Sequence, residues 1–267
     1  MSSSESPAAV SRSQLVAELR ERLGRLEAAR RPAGEPSLST GCAPLDRLLP
    51  AGGMSRGGLV EWLAADGSGA AWLALAAARA ACREHGPLVV VDGSGTFYPP
   101  AAALAAIALE EVLVVRAQQA GDEAWALDQA LRSTGVGAVF CQSQRLHPRT
   151  VRRLQLAAES SGGLGLLVRP EAARQEPCWA EARLLVRPLP ATKAKLAGES
   201  SDVENPDAQT LSLVGRRLRV ELLRARGAAG GRSVDLEIDD ETGVVRLAAE
   251  LAGAAFPRRS GKRRSGA

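Results

Sequence analysis

The sequence contains few of the residues from which metal sites and disulfide frameworks are built. Its 267 residues include two histidines and four cysteines, and no two cysteines form a Cys-x-x-Cys pair. Structural zinc sites and disulfide scaffolds need such clusters, so the sequence argues against both. We expect no metal, no bound cofactor, and cysteines that remain buried free thiols. The cysteines are Cys42, Cys82, Cys141 and Cys178.

The sequence also lacks a long apolar run. A membrane-spanning helix requires about 20 consecutive apolar residues, and no stretch of this chain approaches that length. The N-terminal residues Met1–Pro7 do not have the charged-then-apolar order of a secretory signal peptide. We therefore expect a cytoplasmic protein, whose 45% hydrophobic content is sufficient for one substantial core.

Lysine is scarce, and arginine supplies 31 of the 34 basic residues. Five of the cations lie close to the C-terminus, and without them the net charge of +4 falls to about −1. The body of the protein is therefore not a strongly basic scaffold for nucleic acid. The five form either a candidate DNA-contacting tail, whose affinity would depend on salt, or a solubilising tail. They are Arg258, Arg259, Lys262, Arg263 and Arg264.

The first 36 residues predict a disordered leader followed by an amphipathic helix from Ser11 to about Arg31. The proline- and glycine-containing segment 31–36 then separates this helix from the rest of the chain. Leucines at helical spacing form one apolar stripe, which either packs on its own domain or binds a partner. The candidate partner-binding residues are Leu15, Leu19, Leu23 and Leu26.

From residue 37 to residue 190, short apolar runs alternate with helical stretches. This alternation predicts an α/β fold, in which a mainly parallel sheet is covered by helices on both faces. The predicted strands are Leu59–Leu63, Leu88–Asp92, Val112–Arg116, Ala138–Gln142, Leu164–Val168 and Arg183–Arg187. The predicted helices are Ala70–Glu84, Ala101–Leu109, Gly121–Ser133 and Pro148–Ser160.

The remainder of the chain predicts three further segments. Residues 191–210 are polar and charged, which is typical of a mobile loop. Residues 211–250 contain apolar segments separated by turns and predict antiparallel strands at the edge of the sheet, and residues 251–267 predict a basic, disordered tail. The predicted edge strands are Arg217–Arg224, Val234–Ile238 and Val244–Leu247.

The segment Leu59–Trp72 has the layout of a phosphate-binding loop, with an apolar strand, a small-residue turn and an alanine-rich helix. A working G-x-x-x-x-G-K-[ST] loop needs glycines around the phosphate, a lysine for the terminal phosphates and a hydroxyl for Mg²⁺. Alanine occupies the first glycine, the lysine and the hydroxyl positions, and scarce lysine does not explain this because arginine is abundant. We expect a remnant that binds no nucleotide. Its residues are Ala64, Gly67, Ser68, Gly69, Ala70 and Ala71.

The segment Leu38–Glu61 resembles the run that leads into the phosphate loop of RecA-type recombinases, with its Ser-Thr-Gly, Leu-Asp, paired glycines and glutamate. The similarity continues to about Ile238 and covers the whole predicted core. It implies a RecA-like core whose mainly parallel central sheet is flanked by helices, with antiparallel C-terminal edge strands and an N-terminal helix.

The positions that carry ATP hydrolysis in the recombinases hold residues without that chemistry here. The loop lysine and hydroxyl correspond to Ala70 and Ala71. The catalytic glutamate corresponds to Ser94, the magnesium-side aspartate to Gln142, and the glutamine that senses the γ-phosphate to about Pro170. Because phosphoryl transfer depends on positioned charge, the resemblance implies a protein with no catalytic residues and no ATPase activity.

The DNA-contacting loops of the recombinases correspond here to the short segments 144–149 and 169–177, which are not glycine-rich. A group of arginines remains at the start of the helix that follows the first segment. It forms either a solvated helix face or a weak contact for phosphate or an acidic partner. Without interleaved aromatic residues it is not a base-stacking platform. The group is Arg145, Arg149, Arg152 and Arg153.

Within the RecA-like family, the segment Arg216–Gly227 followed by Val234–Ile238 most resembles ImuA-like proteins. That resemblance implies a non-catalytic adaptor in SOS-induced, error-prone translesion DNA synthesis, a mutagenic response to DNA damage. The implied partners are an ImuB-type Y-family polymerase-like protein and RecA.

Two other functions stay open at this point. A SulA-like cell-division inhibitor would also combine a RecA-like fold with a lost phosphate site, although the long C-terminal extension favours the ImuA-like interpretation. A DNA-binding recombinase paralogue would have to bind ATP despite Ala70 and Ala71.

Overall fold

A computed structural model describes residues 37–65, 67–117, 119–190, 215–228, 230–239 and 242–248. The predicted N-terminal helix, with its stripe Leu15, Leu19, Leu23 and Leu26, lies outside the described residues. The predicted mobile loop 191–210 and the basic tail from Arg258 to Arg264 lie outside them as well.

The described residues contain five α-helices, which connect the strands of the core. The longest, α2, is rich in alanine, the residue of highest helix propensity. The helices are α1 (Ala43–Asp46), α2 (Ala70–His85), α3 (Pro100–Leu104), α4 (Ala120–Arg132) and α5 (Pro148–Ser161), with short 3₁₀ turns at Leu109–Glu111 and Glu171–Gln175. None of the described helices is long and apolar enough to span a bilayer.

Nine described strands form one sheet in the order β3-β2-β4-β5-β1-β6-β7-β8-β9. In this order, the first six strands, from β3 across to β6, pair in parallel. The last four, β6 to β9, pair antiparallel. The predicted α/β fold with antiparallel edge strands is therefore confirmed. The strands are β1 (Leu59–Ala64), β2 (Leu88–Val91), β3 (Val112–Val115), β4 (Ala138–Gln142), β5 (Leu164–Pro170), β6 (Ala182–Leu189), β7 (Arg216–Ala225), β8 (Ser233–Ile238) and β9 (Val245–Leu247).

Helices cover both faces of the sheet, so the core has two main layers. Side chains alternate between the faces along a strand. On β1, Trp62 therefore joins the cluster beneath α2, which also contains Leu73. Leu59 lies three positions earlier on the same strand and therefore faces the other side. It joins the cluster beneath α4 and α5, which contains Leu127 and Leu154.

The helix predicted at Ala101–Leu109 is shorter than expected, and this prediction is wrong in its second half. Helix α3 ends at Leu104, and Ala106 has φ 58°, in the left-handed region. The amide of Ile107 donates to the carbonyl of Ala102, and the Ile107 side chain is buried. The turn is thus fixed by burial of Ile107, which overrides the helical preference of the alanines.

Strand β3 is not covered on both faces. It lies at the edge of the sheet beside β2. Leu113, Val114 and Val115 are all exposed, and Leu113 has 56% of its surface accessible. Its continuous apolar run therefore does not mark a strand buried on both sides.

The cysteines agree with the prediction of free thiols. All four are unpaired, and only Cys178 is partly accessible. Burial is the largest influence on the pKa of these thiols. It raises the pKa of Cys82 to about 12 and that of Cys178 to about 11. These thiols are therefore protonated at neutral pH.

Candidate functional site

The segment that resembles a phosphate loop connects β1 to α2. Ala64 ends the strand, and the turn that follows is closed by a hydrogen bond from the Ser68 amide to the Ala65 carbonyl, at 3.2 Å. Gly67 and Gly69 have φ of 73° and 86°, conformations that glycine adopts without strain. Gly69 precedes the first turn of α2, and no side chain caps that helix end. The backbone shape of the predicted loop is therefore present.

A cavity of about 180 Å³ lies over this loop. Residues from four strands and from α2 meet there, as the carboxyl ends of parallel strands do in open α/β sheets. Four of the five positions that correspond to recombinase chemistry contribute to the lining: Ala70, Ala71, Gln142 and Pro170. These positions present methyl groups, an amide and a pyrrolidine ring to the cavity.

Ser94, aligned with the catalytic glutamate, is absent from the lining of this cavity. Its hydroxyl lies 2.7 Å from the Thr96 hydroxyl. The neighbouring Asp92 carboxylate accepts hydrogen bonds from the amides of Thr96 and Phe97 at 3.1 and 3.2 Å. Asp92 thus organises the turn after β2. Neither Ser94 nor Asp92 is among the residues that line the cavity.

Two arginines that sequence alignment did not assign also line the cavity. The guanidinium of Arg169 is buried and already bonded to carboxylates, as described below. Arg216, at the start of β7, is exposed and engaged in an interaction of its own. It reaches the cavity because β7 runs back along the sheet beside β6, an arrangement that no local sequence pattern encodes.

Apolar side chains of the edge strands cover one side of the loop. A Cβ atom placed on Gly69 would lie 3.2 Å from Leu218 of β7 and 3.5 Å from Ile238 of β8. A Cβ on Gly243 would lie 2.5 Å from the ring of Trp72, in the first turn of α2. The end of the loop at Gly69 is therefore packed against hydrocarbon.

Directly behind the cavity, three charged side chains form a buried network. Glu61 on β1 is fully buried and lies between Arg169 of β5 and Arg183 of β6. One carboxylate oxygen accepts from Arg169 at 2.9 Å, and the other accepts from Arg183 Nε at 2.7 Å. Arg169 also pairs with Glu176 at 2.7 Å. The network connects three strands to the segment that follows β5.

The surroundings of Arg169 keep it charged. Burial is the largest influence and favours the neutral form, but the hydrogen bonds to Glu176 and Glu61 outweigh it and raise the pKa of Arg169. The Arg169 guanidinium also donates a hydrogen bond to the Leu146 carbonyl, at 3.1 Å. Only its Nε atom has no partner. Arg169 is thus a structural cation that faces the cavity from below.

The arginine group at the start of α5 has an aromatic neighbour in the fold. No aromatic residue is interleaved among these arginines in the sequence, but one from a distant segment lies beside them. The guanidinium carbon of Arg152 lies 4.8 Å from the centre of the Trp179 ring. Trp179 is 27 positions further along the chain, in the segment before β6, so sequence spacing gave no signal. Arg153, in contrast, pairs with Asp128 of α4.

Comparison with known proteins identifies relatives of this chain. Protein ImuA from two strains of Caulobacter vibrioides, NA1000 and CB 15, is 29% identical over 204 residues, which is 73% of this chain and 81% of the relative. The chain is ImuA-like. A crystal structure of the RadB recombinase superposes with a TM-score of 0.58 and 16% identity, covering 79% of this chain and all of that one.

The RadB likeness shows the fold, since its sequence identity is low. The core is RecA-like, as the resemblance of Leu38–Glu61 to recombinases implied. No protein-family model matches the chain.

Proposed function

We propose that this protein is a non-catalytic, RecA-like adaptor in SOS-induced, error-prone translesion DNA synthesis. It binds an ImuB-type Y-family polymerase-like protein, RecA, or both, and it acts in the cytoplasm. It uses the recombinase fold to present protein surfaces, without hydrolysing ATP.

The observation that carries the proposal is the composition of the cavity over the loop between β1 and α2. Phosphoryl transfer needs a cation on the phosphates, a metal ligand and a group that positions the nucleophile. The aligned positions in this cavity hold Ala70, Ala71, Gln142 and Pro170. An alanine methyl group neither neutralises phosphate nor ligates Mg²⁺, and these substitutions remove different parts of the chemistry independently.

The similarity to ImuA supports the choice of pathway. It extends over most of both chains. It favours the adaptor over a SulA-like cell-division inhibitor.

One observation favours the alternative of an ATP-binding recombinase paralogue. Arg216 brings an exposed guanidinium to the cavity, so the site is not without positive charge. A single cation without a metal ligand is a poor substitute for the lysine, hydroxyl and acid of a working site. We therefore retain the non-catalytic assignment and include Arg216 in its test.

The experiment is a binding assay with purified full-length chain, an ImuB-type partner and RecA, each with and without ATP and Mg²⁺. We expect at least one partner to bind, with an affinity that nucleotide does not change. Binding that appears only with ATP, or that is absent for both partners, would contradict the proposal.

The same assay tests the proposed partner-binding stripe. Replacing Leu15, Leu19, Leu23 and Leu26 by alanine should weaken binding, as should removal of residues 1–36. The matched control replaces Arg20 and Arg22, which lie mostly off the stripe, by alanine. Unchanged binding of the leucine variant would rule out the stripe while leaving the adaptor proposal intact.

The proposed DNA contact of the basic tail is measured separately. Substitution of Arg258, Arg259, Lys262, Arg263 and Arg264 should abolish any DNA affinity that decreases with salt. DNA affinity that is independent of salt, or that survives the substitution, would show that the tail is only solubilising.

A further inference from the structure

The exposed face of α5 carries a mixed cationic and apolar surface. Arg149, Arg152 and Leu156 are spaced by three and four residues, so they form one stripe along the helix. Trp179 lies beside this stripe and contacts Arg152. Leu156 is 55% exposed and Trp179 is 43% exposed. We call these four residues the α5 patch.

The positive charge of the patch is not compensated locally. Among the described residues, neither Arg149 nor Arg152 has a carboxylate within ion-pair distance. Glu159, on the same helix, pairs with Arg226 at 3.0 Å, and Glu176, three positions before Trp179, pairs with Arg169. The patch therefore offers free guanidinium donors to a ligand.

The backbone beneath the patch is rigidly positioned. Pro148 opens α5, and the His147 ring accepts a hydrogen bond from the Arg149 amide at 3.2 Å. On the inner side of the helix, Leu154 is fully buried in the core. At the other flank, Arg224 donates to the Cys178 carbonyl and fixes the chain next to Trp179. A partner would meet a preformed surface and would not need to order it.

We infer that the α5 patch is a docking surface for an acidic segment of a partner protein that carries an apolar side chain between its carboxylates. This inference rests on the proposed adaptor function and names the chemistry of its partner. Carboxylates would pair with Arg149 and Arg152, and the apolar side chain would cover Leu156 and the free part of the Trp179 ring. Tryptophan and arginine are the residues most enriched at binding hot spots.

Single-stranded nucleic acid fits the patch less well. Base stacking needs successive aromatic faces, whereas the patch has one ring, part of which Arg152 already covers. Leu156 would gain nothing from a phosphate backbone. An acidic, partly apolar peptide uses all four side chains, which is why a protein partner is favoured.

The test uses full-length chain with three separate probes: an ImuB-type partner, RecA and a 20-nucleotide oligo-dT. Trp179→Ala and Arg152→Glu are compared with the exposed controls Trp125→Ala on α4 and Arg47→Glu after α1. We expect each patch variant to weaken binding of at least one protein probe about tenfold or more, while the controls change it less than about twofold. Trp179→Phe should restore most of the affinity, and added salt should weaken wild-type binding.

The possible outcomes separate the two proposals. If a protein probe binds wild type and both patch variants equally, the docking inference fails and the adaptor function stands. If neither protein binds wild type, the adaptor function itself fails. If oligo-dT binds and Trp179→Ala abolishes that binding, the patch is a nucleic-acid surface and the inference is overturned. Unchanged thermal unfolding of each variant shows that lost binding is not caused by lost folding.

Discussion

Glu61 in the middle of β1 lies between two buried arginines, whereas the loop at the end of the same strand has alanines where a recombinase has a lysine and a hydroxyl. The two regions are a few residues apart and share the same sheet. Charged side chains connect the strands, whereas the two loop positions that correspond to the lysine and the hydroxyl carry only methyl groups. Holding a RecA-like sheet together and binding a nucleotide are separable requirements under the proposed function, which assigns only the first to this chain.

The largest effect should come from breaking the buried network. Glu61→Ala leaves two buried guanidinium groups without their carboxylate, which typically costs about 3–5 kcal/mol of unfolding free energy. Chemical denaturation followed by circular dichroism measures it. Asp235→Asn, which breaks an exposed ion pair, is the control. A loss for Glu61→Ala as small as for the control would show that the network does not stabilise the sheet.

A smaller effect is expected in the loop. Gly67 has φ 73° and open space around its Cβ position, so Gly67→Ala should cost about 1–2 kcal/mol from backbone strain alone. Gly69→Ala should cost more, about 2–3 kcal/mol, because the methyl group also meets Leu218. We expect both variants to bind partners as wild type does once folded. Selective loss of partner binding would indicate that the loop conformation has a function after all.

The exposed pair between β7 and β8 should contribute least to stability. Arg219 donates two hydrogen bonds to Asp235, at 2.7 and 2.8 Å, and these lower the pKa of Asp235. The contribution is therefore present above the pKa of the unfolded chain, about 3.9, and is lost as the pH falls through the lower folded value. Solvent screens an exposed pair, so the effect is near the limit of measurement. Asp235→Asn should differ from wild type at pH 7 and converge with it in acid; a difference that grows with acid would contradict the assignment.

A further prediction concerns the chemical reactivity of the Cys178 thiol and not the stability of the fold. Since burial raises the pKa of Cys178 to about 11, alkylation by iodoacetamide at pH 8 should be about a hundredfold slower than in the urea-unfolded chain. Cys178→Ser identifies its share of the labelling by mass spectrometry. Labelling of native Cys178 at the unfolded rate would show that the thiol is neither buried nor shifted.

The sequence predicted the sheet and the loop because their signals are local. Apolar runs such as Leu88–Val91 and the glycines before Ala70 lie within a few residues of the structures they form. The boundaries of most strands agree to within two residues. The helix after Pro100 was overextended because its alanines carry no signal for the turn at Ala106.

The electrostatic parts of the site were missed because their contacts are distant in sequence. Glu61 meets Arg169 and Arg183 across 108 and 122 positions. A carboxylate inside an otherwise apolar strand was the available signal, since a buried charge requires a partner. That signal predicts a cation without identifying it. Arg216 at the cavity and Trp179 beside Arg152 follow equally from topology.

Isothermal titration of the full-length chain with ATP and Mg²⁺ tests the loss of the nucleotide site most directly, with RecA as positive control and Arg216→Ala alongside. We predict no saturable heat up to about 1 mM ATP, for wild type and variant alike. Micromolar binding by wild type that disappears in Arg216→Ala would contradict the non-catalytic assignment and show that this arginine has replaced the missing lysine.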